Sequence, residues 1–164
     1  MGRRRAARES ALRILYELEF NDAGAEAVLS REEAGGRDSF AYAAWLVRGV
    51  LARRAEIDGL IEGTSAHWRI PRMAIVDRNI LRLAVFEILE EPFLAPAIVI
   101  NEAIEIARRF SGDASAVFVN GVLDAVRKKI QGAPAEPKEK KDHGPKTDVP
   151  ARRTAARGRP RTKK

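Results

Sequence analysis

Three short segments of the chain place polar residues, and in one case a glycine, inside strongly apolar patterns of helical period. They are residues 118–124 (Phe-Val-Asn-Gly-Val-Leu-Asp), 100–103 (Ile-Asn-Glu-Ala) and 77–84 (Asp-Arg-Asn-Ile-Leu-Arg-Leu-Ala). A glycine inside a helix costs about 1 kcal/mol relative to alanine, and a buried asparagine needs hydrogen-bond partners. A helix that only fills a core would not carry these residues, so we expect a close contact or a specific binding surface at these positions.

A cluster of arginines lies at the start of the chain, in or just before the first turns of a predicted helix. Its members are Arg3, Arg4, Arg5 and Arg8. Cations are unfavourable at a helix N-terminus because the helix macrodipole is positive there. A phosphate group would compensate, since the planar guanidinium pairs with it through two hydrogen bonds. We therefore predict that these four arginines contact phosphates, and a solvated leader with no partner is the alternative.

The net charge of +7 is distributed unevenly. Residues 131–164 contain 11 Lys and Arg residues against 4 Asp and Glu residues, so this segment alone accounts for the whole excess. Residues 1–130 are neutral, and they become slightly acidic once the arginine leader is set aside. A basic pole on a mildly acidic body predicts two partners of opposite character, one polyanionic and one basic.

The sequence lacks a constellation for catalysis or for metal binding. It has no cysteine, which excludes disulfides and thiolate metal sites and fits a reducing cytoplasm. The two histidines, His67 and His143, are far apart and have no second ligand at metal spacing. No nucleophile motif, glycine-rich phosphate loop or run of 18 apolar residues is present. We predict a cytoplasmic protein that is not an enzyme, has no cofactor or metal, and does not span a membrane.

Helical periodicity predicts an all-α body of six or seven helices. The apolar stripes run through residues 4–20, 25–29, 38–63, 77–90, 97–110 and 115–130, and no segment sustains the two-residue alternation of a strand. From Gly132 onward the composition is dominated by Pro, Lys, Arg, Ala and Gly. Such a composition cannot offset the entropy of ordering. We therefore predict a helical domain over residues 1–130 and a disordered basic tail over residues 131–164.

Taken in order, these features resemble the transcription antitermination factor NusB family. The resemblance is carried by the arginine leader, Trp68, the segment 77–87, Pro96, the segment 100–105 and the segment 118–124. It covers about residues 1–130. The sequence departs from the family pattern in the Phe110-Ser111-Gly112 turn, where the family has Phe-Gly, and in the length of the tail. The resemblance implies an all-α fold of two packed subdomains.

The resemblance also implies a function. Members of the family bind boxA, a single-stranded leader sequence in ribosomal RNA operons, jointly with the ribosomal protein NusE. The resulting assembly helps RNA polymerase to resist termination, and some members form homodimers. One alternative is a free-standing RNA-binding domain, because the same fold forms the N-terminal domain of an rRNA cytosine methyltransferase. Another is a DNA binder that acts through the AT-hook-like residues Arg157–Pro160 of the tail.

Two pairs of residues are further candidates for binding. We predict that Phe118 stacks an RNA base and that Asn120 bonds a base edge, since RNA readers hold splayed bases in this way. The alternative is that Phe118 belongs to the core and that Asn120 caps or bridges helices. We predict that Asp77 and Glu87 face the protein partner, as the resemblance implies for the position of Asp77. The alternative for Asp77 is a helix N-cap, where aspartate is favoured.

Overall fold

A computed structural model describes residues 2–132 of the chain as seven α-helices and one short 3-10 turn, with no strand among these residues. The α-helices are α1 (Arg3–Leu18), α2 (Ala25–Glu33), α3 (Phe40–Ala52), α4 (Arg54–Glu62), α5 (Ile75–Glu90), α6 (Pro96–Ser111) and α7 (Asp113–Gln131). The 3-10 turn spans Ile70–Arg72. The all-α prediction is confirmed. The disordered tail was predicted over residues 131–164, but Gln131 is the last residue of α7. Residues 133–164, with the AT-hook-like motif, lie outside the described part.

Helix α5 lies at the centre of the fold and contacts α1, α3, α4, α6 and α7. Its position follows from its sequence, because apolar residues cover most of its circumference. The buried apolar residues of α5 are Ile80, Leu81, Leu83, Ala84, Val85 and Phe86. Helices α1 and α3 pack against each other and against α5, and α6 and α7 form a hairpin that also packs on α5. Two helical groups therefore share the central helix.

The segment predicted as one long helix over residues 38–63 consists of two helices. The break lies at Arg53, whose φ of −113° and ψ of 20° are not helical. The Arg53 guanidinium binds the carboxylates of Glu56 and Glu90, which fixes the bend. The change of direction brings the apolar face of α4 against α5 and α7, where Ile57 and Ile61 are fully buried. Core packing thus overrides a continuous helical period.

The glycine in the middle of α7 does not serve a close helix–helix contact. A Cβ atom added at Gly121 would meet nothing within 4 Å, and the residue is exposed. A close contact therefore does not explain the glycine at this position. The close approach occurs instead at Gly49 of α3, where the Phe86 ring occupies the space that a Cβ atom would take. The sequence pattern had not singled out Gly49.

A polar network accounts for the polar residues at the start of α5. Asn79 is 1% exposed, and its side-chain amide donates to Glu19 while its oxygen accepts from Arg82. Arg82 in turn pairs with Asp58 of α4 through two hydrogen bonds of 2.8 and 2.9 Å. Burial alone would raise the pKa of Glu19, but the hydrogen bond and charge of Arg78 outweigh it and lower that pKa. These residues join α1, α4 and α5 and are satisfied within the fold.

Candidate nucleic-acid and protein interfaces

The arginine leader forms the first turns of α1. The helix begins at Arg3, its N-cap is Gly2 without a side-chain cap, and its first turn contains no acidic residue. The side chains become more buried along the helix, with exposures of 85% for Arg3, 53% for Arg4 and 36% for Arg5. Three positive side chains therefore surround free backbone N–H groups at an exposed helix N-terminus, which is a favourable environment for an anion.

Arg8, the fourth arginine of the leader, lies in the interior with Glu87, and this corrects the surface roles expected for both residues. The Arg8 side chain is 7% exposed and that of Glu87 is 1% exposed. The guanidinium donates to both carboxylate oxygens of Glu87, at 2.8 Å from Nε and 2.5 Å from Nη2. Tyr42 of α3 donates to the same carboxylate at 2.6 Å. Buried charges persist when they are paired, so this cluster fixes α1 against α3 and α5.

The electrostatics of this buried cluster keep its charges in place. Burial alone would lower the pKa of Arg8, but the hydrogen bonds and the charge of Glu87 outweigh it and raise that pKa. Burial and the hydrogen bond to Glu87 raise the pKa of Tyr42 well above its ordinary value. Tyr42 therefore stays protonated and remains a hydrogen-bond donor at neutral pH.

Arg5 is held at the surface by Glu102 of α6. The guanidinium donates to both carboxylate oxygens, at 2.8 Å from Nε and 2.7 Å from Nη2. The hydrogen bond from Arg5 lowers the pKa of Glu102, so this carboxylate is ionised at neutral pH. Arg3 and Arg4 are held more loosely, because their nearest carboxylate oxygens, on Asp38 and Glu91, lie 3.7 and 3.8 Å away. The two outer arginines are thus the most available to a phosphate.

A groove of about 350 Å³ opens beside the arginine leader, and we call it the leader groove. Its walls combine guanidinium groups of α1 with apolar side chains from the start of α6 and the link before it. The lining residues are Gly2, Arg4, Arg5, Arg8, Leu94, Ile98 and Glu102. The sequence pattern indicated the arginines but not the apolar wall, because nothing in the sequence distinguishes Leu94 and Ile98 from apolar residues of the core.

Phe118 and Asn120 lie on the second and third turns of α7. Phe118 is partly buried, and its ring packs edge-on against Trp68 with 5.9 Å between centroids. Asn120 and the neighbouring Gly121 are exposed. Asn120 therefore has the open position that a base-reading side chain needs, whereas Phe118 combines a packing role with partial exposure.

Asp77 lies inside the first turn of α5, and the N-cap of that helix is Ala74. The N-cap alternative is therefore excluded for Asp77. Its side chain is 7% exposed; Oδ2 accepts a hydrogen bond of 3.0 Å from Ser115, while Oδ1 has no partner among the described residues. An unsatisfied buried acceptor costs about 1–3 kcal/mol. A donor supplied from outside the chain would remove this cost.

An apolar cavity is lined in part by Val76, the residue before Asp77 in α5, and the sequence pattern did not indicate it. It has a volume of about 220 Å³ and is lined by Leu12, Arg13, Tyr16, Val76 and Phe110. Tyr16 is 43% exposed and stacks on Phe20, which is 67% exposed. Arg13 lies over the Phe110 ring at 5.7 Å. Exposed apolar residues grouped in this way mark an interaction surface. We call the cavity and Asp77 the partner face.

Neither a metal cluster nor a membrane span is found in the described part of the chain. Residues 2–132 contain no group of three or more His, Asp or Glu side chains arranged to hold a metal ion. None of the helices in this range is long and apolar enough to cross a membrane.

Comparison with known proteins gives concordant matches over the helical body. The model of the NusB family matches residues 5–128. The transcription antitermination protein NusB of Myxococcus xanthus is 47% identical, over 77% of this chain and 95% of that protein. That of Desulforapulum autotrophicum is 42% identical, over 77% of this chain and 92% of that protein.

Two solved structures resemble this one. NusB of T. maritima is 36% identical with a TM-score of 0.71, over 77% of this chain and 91% of that one. A chain from a complex of the antitermination factors NusB and NusE with double-stranded RNA is 28% identical with a TM-score of 0.67. That match covers 77% of this chain and 97% of the other.

Proposed function

The chain belongs to the NusB family, and we propose that it acts in transcription antitermination by binding boxA-type RNA together with the ribosomal protein NusE. The observation that carries the RNA part is the exposed, uncapped first turn of α1 with its three arginines. The solved complex of a similar chain with NusE and RNA supports both partners. Assembly with RNA polymerase is the setting in which such a pair would act.

The function that we propose is binding rather than catalysis. The alternative of a free-standing domain related to an rRNA methyltransferase also predicts RNA binding, but not a ribosomal partner. The match to antitermination proteins over 92–95% of their length favours the first reading. A location in the cytoplasm follows from partners that belong to the transcription machinery. Homodimer formation stays a prediction.

The preference for RNA over DNA tests this proposal against a nucleoid-type DNA binder. We expect single-stranded boxA-type RNA to bind more tightly than a scrambled single strand and than duplex DNA at the same salt concentration. Matched salt is essential, because counterion release governs the nonspecific part of the affinity. Fluorescence anisotropy with labelled strands measures all three. Equal affinity for the three strands would leave only nonspecific polyanion binding.

We further propose that the exposed turn of α7 contributes base recognition. Asn120 offers a donor and an acceptor to a base edge, and the absence of a side chain at Gly121 allows an RNA strand to approach closely. Phe118 lies one helical turn before Gly121, and its partly buried ring packs edge-on against Trp68. Binding of RNA at this surface would explain why a glycine occurs in the middle of a helix.

Replacement of Asn120 by alanine is the cleaner test of this surface, because the side chain is exposed. We expect RNA affinity to fall about fivefold, which corresponds to about one hydrogen bond, with an unchanged melting temperature. Phe118→Ala should clearly weaken RNA binding while the melting temperature falls only slightly. Gln131→Ala, at the end of the same helix, is the matched control. If Asn120→Ala binds RNA as the parent does and Phe118→Ala only unfolds the domain, both residues are structural.

We propose that the partner face binds NusE. Its apolar cavity provides surface that association would bury. Oδ1 of Asp77 is buried and has no partner among the described residues, so it would accept a hydrogen bond from an arginine or lysine of a basic protein once binding moves the side chains that cover it. Association would satisfy the acceptor that folding leaves without a partner. Glu87, the second residue predicted for this role, is 1% exposed and paired with Arg8, so we propose that it supports the fold behind this face.

Substitution of Asp77 separates a role in binding from a role in folding. Asp77→Asn retains an acceptor for Ser115 but loses the charge, and we expect it to weaken NusE binding about tenfold or more with little change in stability. Asp77→Lys should abolish binding through repulsion of a basic partner. Asp124→Asn, on α7, is the control. Calorimetric titration with purified NusE measures the affinities, and full affinity of Asp77→Asn would refute the assignment.

A further inference from the structure

Phe93 is an almost fully exposed aromatic residue in the link between α5 and α6. Its exposure is 98%, the highest among the large apolar residues of the described chain. Its neighbours in sequence tie it to the leader groove, because Glu91 pairs with Arg4 and Leu94 lines the groove itself. A phenylalanine in such a position contributes nothing to the core. Its exposure, one residue before a residue that lines the leader groove, therefore requires a different explanation.

The chemistry of the leader groove suits a nucleobase better than a phosphate. Leu94 and Ile98 provide apolar walls, and Ile98 is 49% exposed. The ionised carboxylate of Glu102 stands in the same groove, held by Arg5 and Arg8, and its remaining lone pairs accept hydrogen bonds from the amino group of a base but not from a phosphate, which has no donor. A volume of about 350 Å³ is ample for one base. The phosphates would lie outside, next to the exposed Arg3 and Arg4.

Single-stranded nucleic acids are held by this combination of groups. Successive bases stack on aromatic side chains, while cationic side chains follow the backbone. The groove combines apolar walls and hydrogen-bonding groups with the arginine leader, and Phe93 precedes Leu94 of its wall in the chain. The arginines supply the charge complementarity that selects a polyanion as the occupant.

We propose that the leader groove is a binding site for one unpaired base of the RNA, and that Phe93 stacks on that base at the edge of the groove. The inference rests on the proposed RNA-binding function and adds a site that the arginines alone do not provide. It assigns specificity for single strands to this end of the molecule, since a base within a duplex is stacked on its neighbours and cannot enter.

Variants of Phe93 test the site without endangering the fold, because the side chain makes no buried contact. We expect Phe93→Ala to weaken binding of single-stranded boxA-type RNA about tenfold, with no change in the slope of affinity against salt. Phe93→Trp should restore the affinity, and its exposed indole should lose fluorescence when RNA binds. The control is Ser30→Ala, at an exposed position of α2 outside the surfaces described above, which should bind RNA as the parent does.

Abasic RNAs locate the base that occupies the groove. Each nucleotide in turn is replaced by an abasic one, and binding of the parent and of Phe93→Ala is compared. We expect one position at which the abasic RNA binds the parent more weakly than intact RNA does. At that position the affinity of Phe93→Ala should be the same for abasic and intact RNA, because the two groups in contact have both been removed. If Phe93→Ala binds RNA as tightly as the parent does, the base site is wrong. The same holds if the loss from Phe93→Ala and the loss from the abasic nucleotide add at every position. Either outcome leaves the proposed function intact. Failure of the parent to bind RNA would overturn both.

Discussion

Replacement of Arg8 by alanine is expected to lower the free energy of unfolding by about 3–5 kcal/mol, the usual cost of removing one partner of a buried ion pair. The substitution leaves the carboxylate of Glu87, 1% exposed, with Tyr42 as its remaining donor. Such a loss is a large fraction of the stability of an ordinary domain. Urea denaturation followed by circular dichroism measures it.

Two controls distinguish a buried pair from a surface pair. Arg31→Ala removes a pair of similar geometry, in which Arg31 Nη2 lies 2.6 Å from a carboxylate oxygen of Glu17, but both side chains are partly exposed. We expect its effect on the free energy of unfolding to be small beside that of Arg8→Ala, because solvent screens an exposed pair. Replacing Arg8 by Met and Glu87 by Leu together should cost much less than Arg8→Ala, since no buried charge is left unpaired. A cost below about 1 kcal/mol for Arg8→Ala would contradict the buried pair.

Simultaneous replacement of Arg3, Arg4 and Arg5 by alanine is expected to remove most of the electrostatic part of RNA binding. Each phosphate contact to a single strand contributes about 0.7 to the slope of log affinity against log salt concentration. Three contacts predict a slope that is smaller by about 2, and two contacts predict about 1.4 if Glu102 retains Arg5. At 0.15 M salt, three contacts correspond to an affinity loss on the order of 50-fold. Anisotropy titrations at several salt concentrations measure both quantities.

A charge-matched variant isolates the effect of position from that of net charge. Arg31 lies on α2, Arg37 lies between α2 and α3, and Arg48 lies on α3. All three are about as exposed as Arg4. Their replacement by alanine removes the same charge and leaves the tail intact. We expect the salt slope of this variant to stay close to that of the parent. If both triple variants show the same slope, the leader is not the phosphate site.

The sequence was sufficient to predict the helices because long apolar stripes report burial directly. The centrality of α5 follows from its nearly continuous apolar surface. The break at Arg53 was not predictable in the same way, because local periodicity continues through it and the bend is fixed by contacts with α5 and α7. Helix existence is thus a local property, whereas helix direction depends on tertiary packing.

The site residues were only partly predictable for a related reason. The arginine leader is recognisable because its charge opposes the helix macrodipole, yet the sequence does not separate the exposed Arg3 from the buried Arg8. Glu87, which pairs with Arg8, lies 79 residues away in the chain. The leader groove and the partner face arise from residues of different helices, so their apolar members resemble core positions in the sequence. Phe93 was overlooked because it belongs to no periodic pattern.

The dependence of RNA affinity on NusE tests the central claim most directly. We expect purified NusE to tighten binding of boxA-type RNA to this protein by about 5–150-fold, the usual range for coupled sites, and RNA to tighten NusE binding by the same factor. Two controls are needed. One measures NusE binding to this protein without RNA, and the other measures RNA binding to NusE without this protein. Equal RNA affinity with and without NusE would contradict the proposed joint binding, as would boxA-type RNA bound no more tightly than duplex DNA.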